Sequence, residues 1–359
     1  MRTIRPSFVA TFVLALPLVV GCGGCSKSGT PRVSAGGATF PDPIMQKWAG
    51  EYKNAKGIEI DYVAKGSGYG ISNVTSKNLD FGCSDAPMNA KELEAAKAAG
   101  GDVIHVPVAI GAVAIIYNLP EVKEPLVLNG EVLARIYLRE ITKWDDPAIK
   151  TLNPTAPLPT KDIVPVYRAE SSGTTNIFTE YLSKQEKTKT TFMEKIGVSK
   201  SPKWPAGGIG KEGNDGIAGH VKDNAGCIGY VELAYAKKNG IAYATLRNKR
   251  DKPIAPDAAA VTAAVDAATR VKPTQEPYSL HELTYSFTDS DADGAYPIVG
   301  ASYAILFVKQ TKDKGPVIVE FLKWVLSDGQ KFATELDYAP LPDELAKKGQ
   351  ALLGKVTFE

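Results

Sequence analysis

Ile58-Glu59-Ile60-Asp61-Tyr62-Val63 alternates apolar and polar side chains, and Gly66-Ser67-Gly68-Tyr69-Gly70 follows almost at once. The first run reads as a strand with one buried face, the second as a glycine-rich loop opening onto a helix. Upstream, Ile44, Met45, Trp48, Ala49 and Tyr52 recur at helical spacing. Downstream, further apolar strands are expected at 103–108, 112–117, 163–167, 227–231 and 301–308, with helices near 89–99, 174–183, 257–270 and 315–335. Interleaved β and α signals of this kind predict an α/β fold with largely parallel sheets. No repeat of 20 to 50 residues is visible, so solenoids and propellers are excluded.

The chain has 359 residues, 44% hydrophobic and 23% charged, ordinary values for a globular protein and enough for two domains. Two arginines precede the apolar run 8–20, which is short of a membrane span and suits a secretory leader at 1–21. Without Arg2 and Arg5 the charge balance is 40 basic against 40 acidic residues. A neutral chain has no overall field to hold a polyanion, so nucleic acid is not an expected partner, and any bound anion needs a local site. Leu18-Val19-Val20-Gly21-Cys22 resembles a bacterial lipobox, with Cys22 as the lipidated new N-terminus and 22–32 as its tether. Simple cleavage that discards Cys22 is the alternative. Cys83 and Cys227 read as two buried thiols in different domains, or else as a disulfide.

One local pattern occurs three times. Gly36-Gly37-Ala38-Thr39-Phe40, Gly66-Ser67-Gly68-Tyr69-Gly70 and Ser171-Ser172-Gly173-Thr174-Thr175 each join pliant backbone and a hydroxyl to a helix start. Free N–H groups and the helix dipole make such places anion sites, although a hydroxyl there can equally be a simple N-cap. If the three converge, the ligand is a small tetrahedral anion. Arg168 ends a strand just before the third loop, where its planar fork could grip an oxyanion or pair with Glu170. Asp85 follows a short strand at the edge where α/β sheets bind ligands. A carboxylate repels an anion unless that anion carries a proton to donate; otherwise Asp85 reads as a cap for the helix beyond Pro87.

At these residues the sequence resembles the periplasmic phosphate-binding proteins, receptors of high-affinity phosphate ABC importers. The matching segments are Gly37-Ala38-Thr39-Phe40-Pro41, Gly66-Ser67-Gly68, 80–87 and 168–174, and the likeness continues through 143–147, 213–217, 226–232 and 336–342. The resemblance implies a type II two-domain periplasmic-binding-protein fold with the ligand in the cleft. Domain 1 would be discontinuous, 33–110 with 300–359, and domain 2 would span 111–299, with hinge crossings near 110–114 and 297–301. By matched position Thr39, Phe40, Ser67, Asp85, Arg168, Ser172, Gly173 and Thr174 would contact phosphate. The implied partners are inorganic phosphate and the importer's membrane permease subunits. The implied protein is a non-catalytic monomer, without a cofactor or metal, lipid-anchored in the periplasm or at the cell surface. Glu170-Ser171 stands where the family often has Asp-Gly, and Gly68-Tyr69 where a second Ser and a Gly are common.

Other motifs weigh less. Gly208-Ile209-Gly210-Lys211-Glu212-Gly213 follows Trp204-Pro205 instead of a hydrophobic strand, so it reads as a glycine-rich loop and not a dinucleotide site. The run 289–294 opens like a calcium loop, but Gly300 holds its twelfth position, where a Glu is required. His105, His220 and His281 have no metal-ligand spacing. The rival functions are a secreted phosphatase or phosphotransferase with Ser67 or Ser172 as nucleophile, and a receptor for sulfate or molybdate. A hydrolase would need a base or metal pair beside the serine, and Asp85 disfavours the fully ionised sulfate.

Overall fold

The alternation at 58–63 is realised as a strand in which Ile60 and Tyr62 are buried while Glu59 and Asp61 stay partly exposed. The computed structural model describes residues 32–270 and 273–359; the leader, Cys22 and nearly all of the tether lie outside them. Eight strands make the main sheet: β1 (Arg32–Gly37), β2 (Glu59–Ala64), β3 (Phe81–Ser84), β4 (Val103–Tyr117), β5 (Val164–Arg168), β6 (Ile209–Lys211), β7 (Cys227–Glu232) and β8 (Val299–Phe307). Their spatial order is β2-β1-β3-β8-β4-β7-β5-β6.

The sheet is mixed, not largely parallel. β2, β1 and β3 are parallel, as are β7, β5 and β6, but β8 and β4 run antiparallel to each other and to their flanking neighbours. Two parallel βα halves are thus stitched together by two long central strands. β4 is one strand of 15 residues where the sequence suggests two. Ala109, Ile110 and Gly111 stay in the ladder opposite Ser302, Ala301 and Gly300, so no break forms. The first part of β4 pairs with β8, and Val113–Tyr117 pairs with β7. A register shift falls between Ser302 and Tyr303, opposite Pro107, whose missing N–H is tolerated at a bulge.

Helices cover the sheet with their apolar sides. Helix Asp42–Lys56 buries Ile44, Met45, Trp48, Ala49 and Tyr52, the residues whose spacing announced it, and stops at Gly57 in the left-handed conformation. The helix expected at 315–335 ends at Val325 and gives way to 3-10 turns at Asp328–Phe332 and Thr334–Leu336. There the Gly329 carbonyl accepts the Trp48 indole N–H at 2.8 Å, tying the turn to the core. The glycine-rich stretch near 208–213 contains β6 instead of being wholly loop, because it adds in parallel to the edge of β5. Cys83 and Cys227 are free and buried in β3 and β7. No described helix is long and apolar enough to cross a membrane.

Candidate functional site

Parallel strands end at the same edge, so topology alone collects several loops. β1, β2 and β3 finish at Gly37, Ala64 and Ser84, and the loops beyond are tied by backbone bonds. Gly37 O accepts from Lys65 N and Gly66 N at 2.8 Å each, and Cys83 O from Ala38 N at 2.9 Å. In the other half, the C-terminal ends of β5, β6 and β7 place Arg168, the segment from Gly213, and Glu232.

Backbone polarity in the first loop suits an anion. Three successive carbonyls that would repel one are each occupied by a tyrosine hydroxyl: Tyr62 donates to Ala38 O at 2.7 Å, Tyr235 to Thr39 O at 2.6 Å and Tyr338 to Phe40 O at 2.6 Å. Helices Asp42–Lys56 and Ser67–Thr75 carry no side-chain cap. Backbone carbonyls take part of their first turns, Asp42 N donating to Thr39 O at 3.3 Å and Gly68 N to Ser171 O at 3.0 Å, and Ile44 N and Ser67 N are left for another acceptor. Gly66 at φ 99° makes the turn that brings Ser67 to the helix start, a conformation that suits glycine. The third helix, Gly173–Ser183, is capped: Ser172 Oγ accepts from Thr175 N at 3.1 Å.

Asp85 is the acidic group of the cluster. It is not the cap of the next helix, because Asn89 fills that place in a capping box with Glu92. Its carboxyl is buried, with Thr174 Oγ1 donating to Oδ2 at 3.4 Å and Oδ1 accepting no hydrogen bond. Burial pushes its pKa up to about 7 against the opposing pull of Ser302, Arg168, Thr174 and Ser67. The Ser302 hydroxyl, beside the β4–β8 bulge, makes no hydrogen bond of its own.

Arg168 has a side chain only 1% exposed, so its pairing with Glu170 is not a surface ion pair. Nε donates to Glu170 Oε1 at 2.8 Å, Nη2 contacts the same oxygen, and Nη1 reaches Thr174 Oγ1 at 3.5 Å. Glu170 Oε1 also accepts from Gly213 N at 3.1 Å. One carboxylate therefore holds the guanidinium plane and the start of the Gly213–Asp223 helix together.

The eight residues singled out by sequence meet here, in two groups that touch. Ser67 Oγ accepts from Asp85 N at 3.1 Å and Gly173 N at 2.9 Å, and Gly68 N donates to Ser171 O at 3.0 Å. Thr39 joins the far group through Asn214, whose N and Nδ2 both donate to Thr39 Oγ1. Phe40 is buried behind it, its ring edge-on to Tyr338. Sequence reading missed Asn214, Ser302 and the Tyr62, Tyr235 and Tyr338 hydroxyls. Asn214 had a signal in the quoted run 213–217, whereas nothing in an apolar strand marks Ser302. His105 and His281, remote in sequence, lie with ring centres 3.8 Å apart at an angle of 44° and both bond to the Met88 backbone. Two of the three acids of 289–294 turn to lysines, Asp289 to Lys249 and Asp293 to Lys252.

Known proteins share this chain's sequence and fold. A family model described as a PBP superfamily domain matches residues 26–329. Phosphate-binding protein PstS of Pasteurella multocida is 40% identical over 321 residues, covering 89% of each chain. The protein of the same name from Methanocaldococcus jannaschii is 34% identical over 371 residues, covering 95% of this chain and 94% of its own. In fold, the chain is similar to a high-affinity periplasmic phosphate-binding protein solved with phosphate (TM-score 0.70, 22% identity, 89% and 93% covered). It is also similar to a putative phosphate ABC transporter substrate-binding protein from Clostridium perfringens (TM-score 0.61, 17% identity, 87% and 100% covered). With its two-domain α/β architecture, the chain belongs to the PstS family of phosphate-binding proteins within the PBP superfamily.

Proposed function

We propose that the protein is a non-catalytic receptor that closes on one hydrogen phosphate ion and delivers it to the permease subunits of an ABC importer. Thr39, Phe40, Ser67 and Asp85 would hold the ion from a domain formed by 33–110 and 300–359. Arg168, Ser172, Gly173 and Thr174 would hold it from a domain formed by 111–299. The chain would act as a monomer in the periplasm or at the cell surface, tethered through lipidated Cys22.

The observation that carries this reading is the buried Asp85 carboxyl, one oxygen unpartnered, set among groups that donate: Arg168, Thr174 and uncapped helix N-termini. Donors alone would suit any oxyanion. A buried carboxyl acceptor among them suits an oxyanion that still carries a proton, which phosphate does at neutral pH and sulfate does not. The serines support a binding role, because a nucleophilic hydroxyl needs a base to take its proton. Ser67 Oγ instead accepts from two N–H groups and Ser172 Oγ from one.

Calorimetric titration with phosphate, repeated with sulfate as competitor and paired with a phosphomonoester hydrolysis assay, tests the reading. Tight phosphate uptake, weak sulfate competition and no hydrolysis are expected. Turnover of the ester, or sulfate binding as tightly as phosphate, would overturn it.

A further inference from the structure

Thr39 and Asn214 lie 175 residues apart and meet at the site, where Asn214 N donates to Thr39 Oγ1 at 3.3 Å and Nδ2 donates to the same oxygen at 3.1 Å. A hydroxyl has one proton and two lone pairs. Both acceptor places on Thr39 are therefore filled, and the capacity left to it is to donate. Ser67 repeats the arrangement with Asp85 N and with Gly173 N, the latter 106 residues away. In each case at least one filling donor arrives from the opposite half of the molecule.

We propose that Asn214 is a positioning residue for phosphate recognition: by donating to Thr39 Oγ1 it compels that hydroxyl to donate to an unprotonated oxygen of the ligand, and only in the closed form. The inference rests on the phosphate reading above. A free hydroxyl is ambidextrous and can turn to accept from a protonated oxygen. A hydroxyl with both lone pairs engaged cannot. Locking Thr39 and Ser67 as donors leaves Asp85 to take the ligand's proton, so selection for a singly protonated anion comes from the hydroxyls as well as from the carboxylate. Because the locking donors cross between halves, the donor pattern is completed by closure itself.

The backbone N–H of Asn214 can only donate, whereas an amide can present either end. Were the amide oxygen turned to Thr39 instead, it would draw the hydroxyl proton away from the ligand. The two orientations have opposite consequences when the side chain is removed, which makes the proposal measurable.

The test is a double-mutant cycle on phosphate affinity, measured by calorimetry on the wild type, Asn214→Ala, Thr39→Val and the pair. Asn214→Ala should weaken binding roughly tenfold when Thr39 is present, the scale of one hydrogen bond to a charged group. In the Thr39→Val background the same change should cost less than about twofold, because there is no hydroxyl left to orient. Asn214→Asp, nearly isosteric, guards against a folding defect: it puts an acceptor in place of the amide donor, and its charge acts in both backgrounds. Its coupling to Thr39 should have the same sign and exceed that of alanine. Equal losses in both backgrounds, or tighter binding after Asn214→Ala, would overturn the assignment while leaving the receptor reading intact. A wild type that takes up no phosphate would sink both, and the first titration of the series shows it.

Discussion

A buried carboxyl held near neutrality at the centre of the proposed phosphate site makes two demands on the protein, one on the ligand and one on the fold. Burial raises Asp85 to about 7, well above an ordinary aspartate. The unfolded chain keeps the ordinary value, so the stability carried by the neutral carboxyl is complete below about pH 4 and is lost as pH rises towards 7. Asp85→Asn stays neutral throughout. Without phosphate it should unfold at a higher temperature than the wild type, by a margin that grows from pH 4 to pH 7 and then levels off. The gain should be on the order of 2 to 4 kcal/mol. A margin independent of pH would mean that Asp85 is hydrated in the free protein. The same variant should lower the phosphate-to-sulfate affinity ratio at least roughly tenfold, because an amide can donate to sulfate where a carboxylate cannot. Arg168 makes the complementary demand. Its Nε and Nη2 are both spent on Glu170, leaving Nη1 turned to Thr174. Arg168→Lys keeps the charge but cannot span Glu170 and the ligand together, and phosphate binding by calorimetry should fall by roughly 1 to 3 kcal/mol.

At the scale of elements, the third helix shows how much of the site a sequence can and cannot disclose. Ser171-Ser172-Gly173-Thr174 announces a helix start through local chemistry, and the cap from Ser172 to Thr175 N is local. What Gly173 faces is not local. A Cβ there would lie 2.5 Å from Asp85 Cβ and 2.5 Å from Ser67 Oγ, atoms carried by other elements. Alanine favours helix more than glycine does, so Gly173→Ala should leave the thermal stability of the free protein unchanged or slightly raised. Closure would be blocked, and phosphate affinity should drop at least roughly tenfold. Unaltered affinity would mean that the ligand is held without the two halves meeting. The same division explains the other gains and losses of sequence reading. Loops and amphipathic helices were legible because their signals repeat along the chain. The mixed sheet was not, because strand direction is set by which strand arrives alongside, and β4 and β8 look like any buried strands. Ser302 and Asn214 acquire their roles only through a bulge and through a contact 175 residues long.

Across the whole molecule, the proposed closure would depend on pairs that span the two proposed domains away from the ligand. Lys200 Nζ reaches both oxygens of Glu92 at 2.6 and 2.7 Å, and the pair is largely shielded, with side chains 13% and 25% exposed. Its backbone is engaged too, since Lys200 O accepts from Ser172 N at 2.9 Å. A second spanning pair joins Lys237 to Asp337 at 2.5 Å, and the Tyr235 hydroxyl bridges to the Thr39 carbonyl. In the proposed closed form these contacts would hold whatever the ion between the domains, and so would tune affinity without choosing the ligand. Lys200→Met keeps the backbone bond and the aliphatic stem while removing the charge. It should weaken phosphate binding by about 1 kcal/mol, roughly fivefold, chiefly through faster release, because docking of the ion precedes the contact. Glu92→Gln should cost a similar amount, and the double variant little more than either, since both remove one interaction. Sulfate competition should shift in parallel with phosphate, leaving the selectivity ratio where it was. Stopped-flow dissociation rates with calorimetric affinities separate the cases. A changed ratio, or a slower association with release unaltered, would place Lys200 on the path of the ion instead of on the clasp that holds the domains together.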